Sequence, residues 1–145
     1  MTAERTEVEG HCLCGAISYS ATLKAPEMAV CHCDMCLRWA GGPFFGVDCA
    51  EAPKITGEEN LSVYQSSDWG ERCFCGKCGT VLFWRMRDGS HHSANAAALK
   101  STEGLRFTHE IFVDEKPGYY DFANETKKLT AAEVIAMFTG SAEQN

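Results

Sequence analysis

The sequence predicts a mainly β domain closed by one C-terminal helix. Three observations carry that expectation. Apolar and polar residues alternate strictly along residues 17–23, short apolar runs recur between turn residues, and helix signals are scarce until Thr130. The chain has 145 residues. About 150 is usual for one domain, so a single domain over 1–145 is expected.

Ile17, Tyr19, Ala21 and Leu23 alternate with Ser18, Ser20 and Thr22, the period of two of a strand with one buried face. Residues 44–47, 61–64, 81–86 and 111–113 are apolar runs of strand length. Pro26, Gly41, Gly42, Pro43, Gly57, Asp88-Gly89 and Pro117-Gly118 separate them. Asp88-Gly89 behind such a run marks a hairpin. Asp34 is placed to cap a single helical turn over residues 35–39, which holds Cys36. Thr130 and Glu133 form a capping box. Val134, Ile135 and Phe138 then give an apolar stripe and Gly140 a C-cap, so the helix is expected over about 130–139.

Twenty acidic residues face 13 basic ones, for a formal charge of -7. Such a surface repels nucleic acid and anionic lipid unless basic residues cluster, and Lys127-Lys128 is the only adjacent basic pair. No apolar run approaches the ~20 residues of a membrane span. Residues 1–10 lack the apolar core of a signal peptide. A cytoplasmic, reducing environment is therefore expected, with no nucleic-acid or membrane partner. Nine cysteines are present. An odd number in that setting points to metal binding or thiol chemistry before disulfides.

Eight of the nine fall in clusters. Cys12-Leu13-Cys14 is C-x-C; residues 31–36, CHCDMC, and residues 73–78, CFCGKC, are both C-x-C-x-x-C; Cys49 stands alone. A C-x-x-C turn aims two sulfurs at one ion, and on an extended segment the two sulfurs of C-x-C share a side. Gly76 and Gly79 sit where a knuckle needs backbone freedom. Zinc suits these spacings, whereas the run of C-x-x-C elements of a ferredoxin is absent, so iron–sulfur ligation is disfavoured. No cluster has four sulfurs, so a four-cysteine site must join stretches remote in sequence and would add folding free energy. Eight sulfurs make two closed sites; seven split four and three leave one open to water or a substrate thiol. Spacing leaves both open. Cys49 reads as core.

Gly10-His11-Cys12-Leu13-Cys14-Gly15 followed by Tyr19, CHCDMC followed by Gly41, and FCGKCGTVLFW over residues 74–84 resemble the signatures of a known family. This is the glutathione-dependent formaldehyde-activating enzyme and centromere protein V family. Residues 110–122, EIFVDEKPGYYDF, are similar to the tail of many members, and the likeness covers about residues 8–122. The resemblance implies a β-tent-like zinc fold of small twisted antiparallel sheets with two zinc ions per chain. By matching positions, Cys12, Cys14, Cys75 and Cys78 would hold a structural zinc. Cys31, Cys33 and Cys36 would hold a second, catalytic zinc with an open position. Two positions depart from the pattern. Leu37, with Arg38 next, stands where members often carry Arg, and Cys73 stands where they carry a small or variable residue. On an extended segment Cys73 shares a side with Cys75, so it either completes and closes the second zinc or is packed or free, and it is read as packed or free.

The expected function is a carbon–sulfur lyase-type enzyme. A small thiol such as glutathione, deprotonated at the open zinc, adds to a carbonyl compound such as formaldehyde. The alternatives are a zinc-stabilised binding module without catalysis, or a thiol or metal sensor using Cys73 and Cys49. Among the histidines, His32 lies between two ligands on extended chain, points away from them and is read as orienting the loop. The pair His91-His92 is read as a solvated loop, and neither they, His11 nor His109 is assigned to catalysis. Trp39, Phe44, Phe45, Trp69 and Trp84 are read as small-core aromatics. Arg38, Lys77, Arg85 and Arg87 are read as solvated charge.

Overall fold

A computed structural model describes residues 6–140. In chain order these form β1 (Thr6–His11), β2 (Ser18–Leu23), β3 (Glu27–Cys31), α1 (Asp34–Ala40), β4 (Phe44–Asp48) and β5 (Lys54–Thr56). There follow β6 (Leu61–Gln65), β7 (Gly70–Cys75), β8 (Val81–Met86), β9 (His92–Asn95), β10 (Arg106–Ile111), β11 (Lys127–Leu129) and α2 (Ala131–Ile135). The mainly β class stands. Among the described residues, no helix is long and apolar enough to cross a membrane.

Two compact units can be told apart, one of residues up to 27 and 46–106, the other of residues 28–45 and 107 onward. In the first, β2 pairs antiparallel with β1 on one side and β5 on the other. Its alternation is realised in full, since Ile17, Tyr19, Ala21 and Leu23 are all buried. The Gly46–Asp48 stretch of β4 pairs with β9, β9 with β8, β8 with β7 and β7 with β6, all antiparallel. The Asp88-Gly89 hairpin forms as predicted: the Gly89 N–H donates to the Met86 carbonyl (3.0 Å) and the Met86 N–H to that of His91 (2.9 Å). Val47, Leu82, Phe83 and Ala94 are buried in this unit, and the Tyr19 and Phe83 rings meet edge to face at 4.7 Å.

Gly57 supports a close approach. It has φ of 84°, and a Cβ there would lie 2.0 Å from the Ala16 carbonyl oxygen. Gly57→Ala meets both the left-handed penalty and a backbone clash. It is expected to cost about 3 kcal/mol and to lower the Tm by roughly 10 °C; a thermal melt that coincides with the parent's contradicts this.

In the second unit β10 lies between β3 and β11, and the β10–β11 pair is parallel, unlike the antiparallel ladders expected. The apolar run 111–113 is not a strand. β10 ends at Ile111, Phe112 turns the chain with φ of 58°, and Val113–Glu115 is a 3-10 turn. Run length predicts extended chain, but the left-handed residue reverses it.

The cap of α1 is Cys33, not Asp34: the Cys33 sulfur accepts from the Cys36 N–H (3.2 Å). The capping box of α2 forms with Thr130 and Glu133 as read. Regular α-helix nevertheless stops at Ile135, and a π-helical turn covers Ala136–Gly140. Of the expected stripe, Val134 is buried while Ile135 and Phe138 are about half exposed, at 50% and 48%. The wider π turn rotates later residues off the 3.6-residue face.

Candidate metal centres

The first unit gathers Cys12, Cys14, Cys75 and Cys78, whose sulfurs all lie within 4.8 Å of one another. Two knuckles of the same construction deliver them. In one, the Cys12 carbonyl accepts from the Gly15 N–H (3.2 Å) and the Cys12 sulfur from the Ile17 N–H (3.3 Å). In the other, the Cys75 carbonyl accepts from the Gly79 N–H (2.8 Å), and its sulfur from the Lys77 and Cys78 N–H groups (3.3 and 3.4 Å). Gly15 and Gly79 both take φ near 80° (83° and 82°), which side chains with a Cβ rarely adopt.

Thr80 couples the knuckles. Its Oγ accepts from the Leu13 N–H (2.9 Å) and lies 3.1 Å from the Cys78 sulfur. Hydrogen bonds from the Thr80 hydroxyl and backbone hold Cys78 down at about 5. Cys12–Cys14 and Cys14–Cys75 sulfurs stand 3.7 and 3.8 Å apart. Four thiolates ~2.3 Å from a tetrahedral ion are separated by about 3.8 Å, so donor chemistry and spacing both fit zinc.

The second unit gathers Cys31, Cys33 and Cys36, again within 4.8 Å of one another. Among the described residues, no fourth Cys, His, Asp or Glu belongs to this group. Cys33 and Cys36 are buried. The two neighbouring sulfurs, by hydrogen bonding and charge, together with burial push the Cys31 thiol far up. Three sulfurs so close ionise together only with a cation among them, and a soft divalent ion fits this donor set.

Polar contacts anchor the segment bearing these sulfurs. The buried His32 donates its backbone N–H to the Ile111 carbonyl (3.0 Å). Its Nε2 is 2.9 Å from Glu110 Oε1, and its Nδ1 is 2.7 Å from the Tyr120 hydroxyl. Burial disfavours the Glu110 carboxylate, but hydrogen bonds from Thr126 and His32 and the charge of Lys128 outweigh it and lower its pKa. Burial, with the charges of Tyr119, Glu110 and Cys31, raises that of Tyr120. The Asp34 N–H donates to Glu115 Oε1 (2.9 Å). The His32 ring thus contacts Glu110 and Tyr120 and belongs to neither sulfur group. Glu110 and Tyr120 carried no signal that spacing could detect.

Cys73 lies outside both groups. It is buried in β7 opposite Val63 and Phe83, beside a register shift between Cys73 and Phe74. Cys49 is also buried. Burial, the largest cause in each, raises Cys49 to about 12 and Cys73 to about 11. Such thiols are inert at neutral pH, which argues against a sensor built on them. His92 corrects the solvated-loop reading, because it begins β9 and is buried. Arg38 is exposed and 3.2 Å from Asp34, and Arg85 is 2.9 Å from Glu71. Phe45, Phe107 and Phe122 pack mutually with centroids 5.1–5.5 Å apart, and Phe44 is buried against Trp39. Trp69 is 52% exposed and so is not core.

Several known proteins are similar to this chain. Residues 7–115 match the family model described as glutathione-dependent formaldehyde-activating enzyme. An uncharacterized lyase of Schizosaccharomyces pombe is 38% identical over 130 residues, 89% of this chain and 95% of the relative. A Halomonas elongata protein, named as a candidate glutathione-dependent formaldehyde-activating enzyme, is 31% identical over 85 residues, 52% of this chain and 54% of that protein. A crystal structure of a Rhodobacter sphaeroides protein superposes with a TM-score of 0.56 at 22% identity, covering 69% of this chain and 99% of that one, which speaks to fold alone.

Proposed function

Because the chain belongs to the glutathione-dependent formaldehyde-activating enzyme family, we propose that it joins and cleaves a glutathione-type thiol and a formaldehyde-type carbonyl compound, as a zinc-dependent carbon–sulfur lyase. The observation that carries this reading is the gathering of Cys31, Cys33 and Cys36 without a fourth donor of their kind among the described residues. These three would hold the catalytic zinc, and Cys12, Cys14, Cys75 and Cys78 the structural one. When bound by three thiolates, zinc supplies an open position at which a substrate thiol is held as thiolate at neutral pH.

The bond changes are simple. A sulfur lone pair forms the carbon–sulfur bond, the carbonyl π pair moves onto oxygen, and that oxygen takes the proton the thiol gave up. Thiol plus aldehyde equals S-hydroxymethyl adduct, and the reverse is the lyase direction. The chain contributes position: β3 and α1 present the sulfurs, and the Ile111 carbonyl and Glu115 carboxylate hold the segment between them. Holding two reactants together is where such a site gains rate.

Two zinc ions per chain are expected by elemental analysis, and glutathione is expected to bind the zinc-loaded protein calorimetrically. Zinc-loaded protein is also expected to accelerate exchange between free formaldehyde and its glutathione adduct in NMR exchange spectra, over the uncatalysed rate. Binding without faster exchange overturns the enzymatic reading and leaves a thiol-binding module. Absence of thiol binding overturns both.

A further inference from the structure

We propose that Glu110, His32 and Tyr120 form a positioning frame that holds the three-cysteine centre ready for its metal, although none of them is a ligand. The proposal rests on the reading of Cys31, Cys33 and Cys36 as a metal site. It concerns how that site is kept open, not what it turns over.

His32 is the residue between Cys31 and Cys33. It is wholly buried and gripped at three points, the backbone N–H and both ring nitrogens. With its side chain turned inward, the flanking sulfurs on extended chain face the other way together. Glu110 fixes the ring: its carboxylate lies against Nε2, which leaves Nδ1 to meet the Tyr120 hydroxyl. Glu110 is itself held, with Oε2 accepting from Thr126 Oγ1 (2.6 Å).

Tyr120 is held from behind. Lys116 Nζ donates to the Pro117 carbonyl (3.0 Å) and the Tyr120 carbonyl, pairs with Asp121 (2.8 Å), and lies 5.0 Å over the Tyr120 ring. Phe122 packs against both the His32 and Tyr120 rings. Hydrogen-bonded partners behind metal ligands commonly set affinity by orienting them. Here the orientation is delivered through the peptide between two ligands. A centre with three protein ligands has one fewer covalent tether than a closed one, so it depends more on such support.

The test is zinc release from the fully loaded protein to a colorimetric chelator, with cobalt substitution as a second readout. Cys33→Ser identifies the phase that belongs to the three-cysteine centre. Tyr120→Phe and Glu110→Gln are each expected to weaken that centre by about 10- to 100-fold and to alter the cobalt–thiolate absorption. The four-cysteine centre should stay within about twofold of the parent. Thr80→Val, which touches Cys78, should show the opposite selectivity. Tyr120→Phe removes one hydroxyl and keeps the ring, so it decides the matter if Glu110→Gln folds poorly. Release unchanged in Tyr120→Phe overturns the frame, as does equal loosening of both centres. A parent that holds one zinc only overturns the metal-site reading itself. Two zinc ions with no glutathione binding remove the enzymatic reading and leave the frame to be judged by release alone.

Discussion

Cys12→Ala is expected to leave no cooperatively folded protein. Cys12 is fully buried, accepts the Ile17 N–H and sits in the four-sulfur group with Cys14, Cys75 and Cys78. A structural zinc of this kind contributes on the order of 10 kcal/mol, against a total stability of about 5–15 kcal/mol for an ordinary domain. Removing one ligand therefore consumes most or all of the margin. The expected readings are loss of the thermal transition and a zinc content below two per chain. Cys49→Ala is the matched control, since Cys49 is equally buried but outside the sulfur groups. It should cost about 1–2 kcal/mol as a small cavity and leave the zinc content unchanged. A Cys12→Ala protein that melts like the control contradicts the structural assignment.

The sequence makes the sulfur groups legible because metal chemistry imposes short, fixed spacings. Cys12-x-Cys14 and Cys75-x-x-Cys78 can be read without knowing the fold. β2 and the Asp88-Gly89 hairpin are legible for a similar reason, since local periodicity and local turn chemistry suffice. What escapes is whatever depends on distant partners. His32 meets Glu110 and Tyr120 across 78 and 88 residues, and polar contacts of that range leave no periodic trace. β3 and β11 are also hidden: β11 has three residues, two of them lysine, so pairing with β10 rather than composition makes it a strand. His92 misleads because it follows a turn signal, yet register with Arg85 draws it into β9. Cys33 displaces Asp34 as the helix cap because its sulfur already faces the Cys36 N–H.

Cys33→Ser is expected to abolish glutathione binding and adduct exchange while the fold survives. This substitution separates two roles of one atom. The Cys33 sulfur is a member of the three-sulfur group and also the N-cap acceptor of α1. Serine is among the best N-caps, so the hydroxyl can still accept from the Cys36 N–H, but it is a poor ligand for a soft divalent ion. With the three-cysteine centre empty and the four-cysteine centre still loaded, parent and variant should unfold within about 1 kcal/mol of each other. Cys33→Ala removes both roles and should be less stable than serine by about 1 kcal/mol. With zinc present, the serine variant should retain one ion per chain, bind glutathione at least ~100-fold more weakly and leave exchange at the uncatalysed rate. Thiol binding that persists in Cys33→Ser with one zinc lost would put the substrate site elsewhere and end the proposed chemistry. Persistence of both zinc ions would instead show that serine suffices as a ligand, and Cys36→Ser, which lacks the capping role, then applies the same test from inside α1.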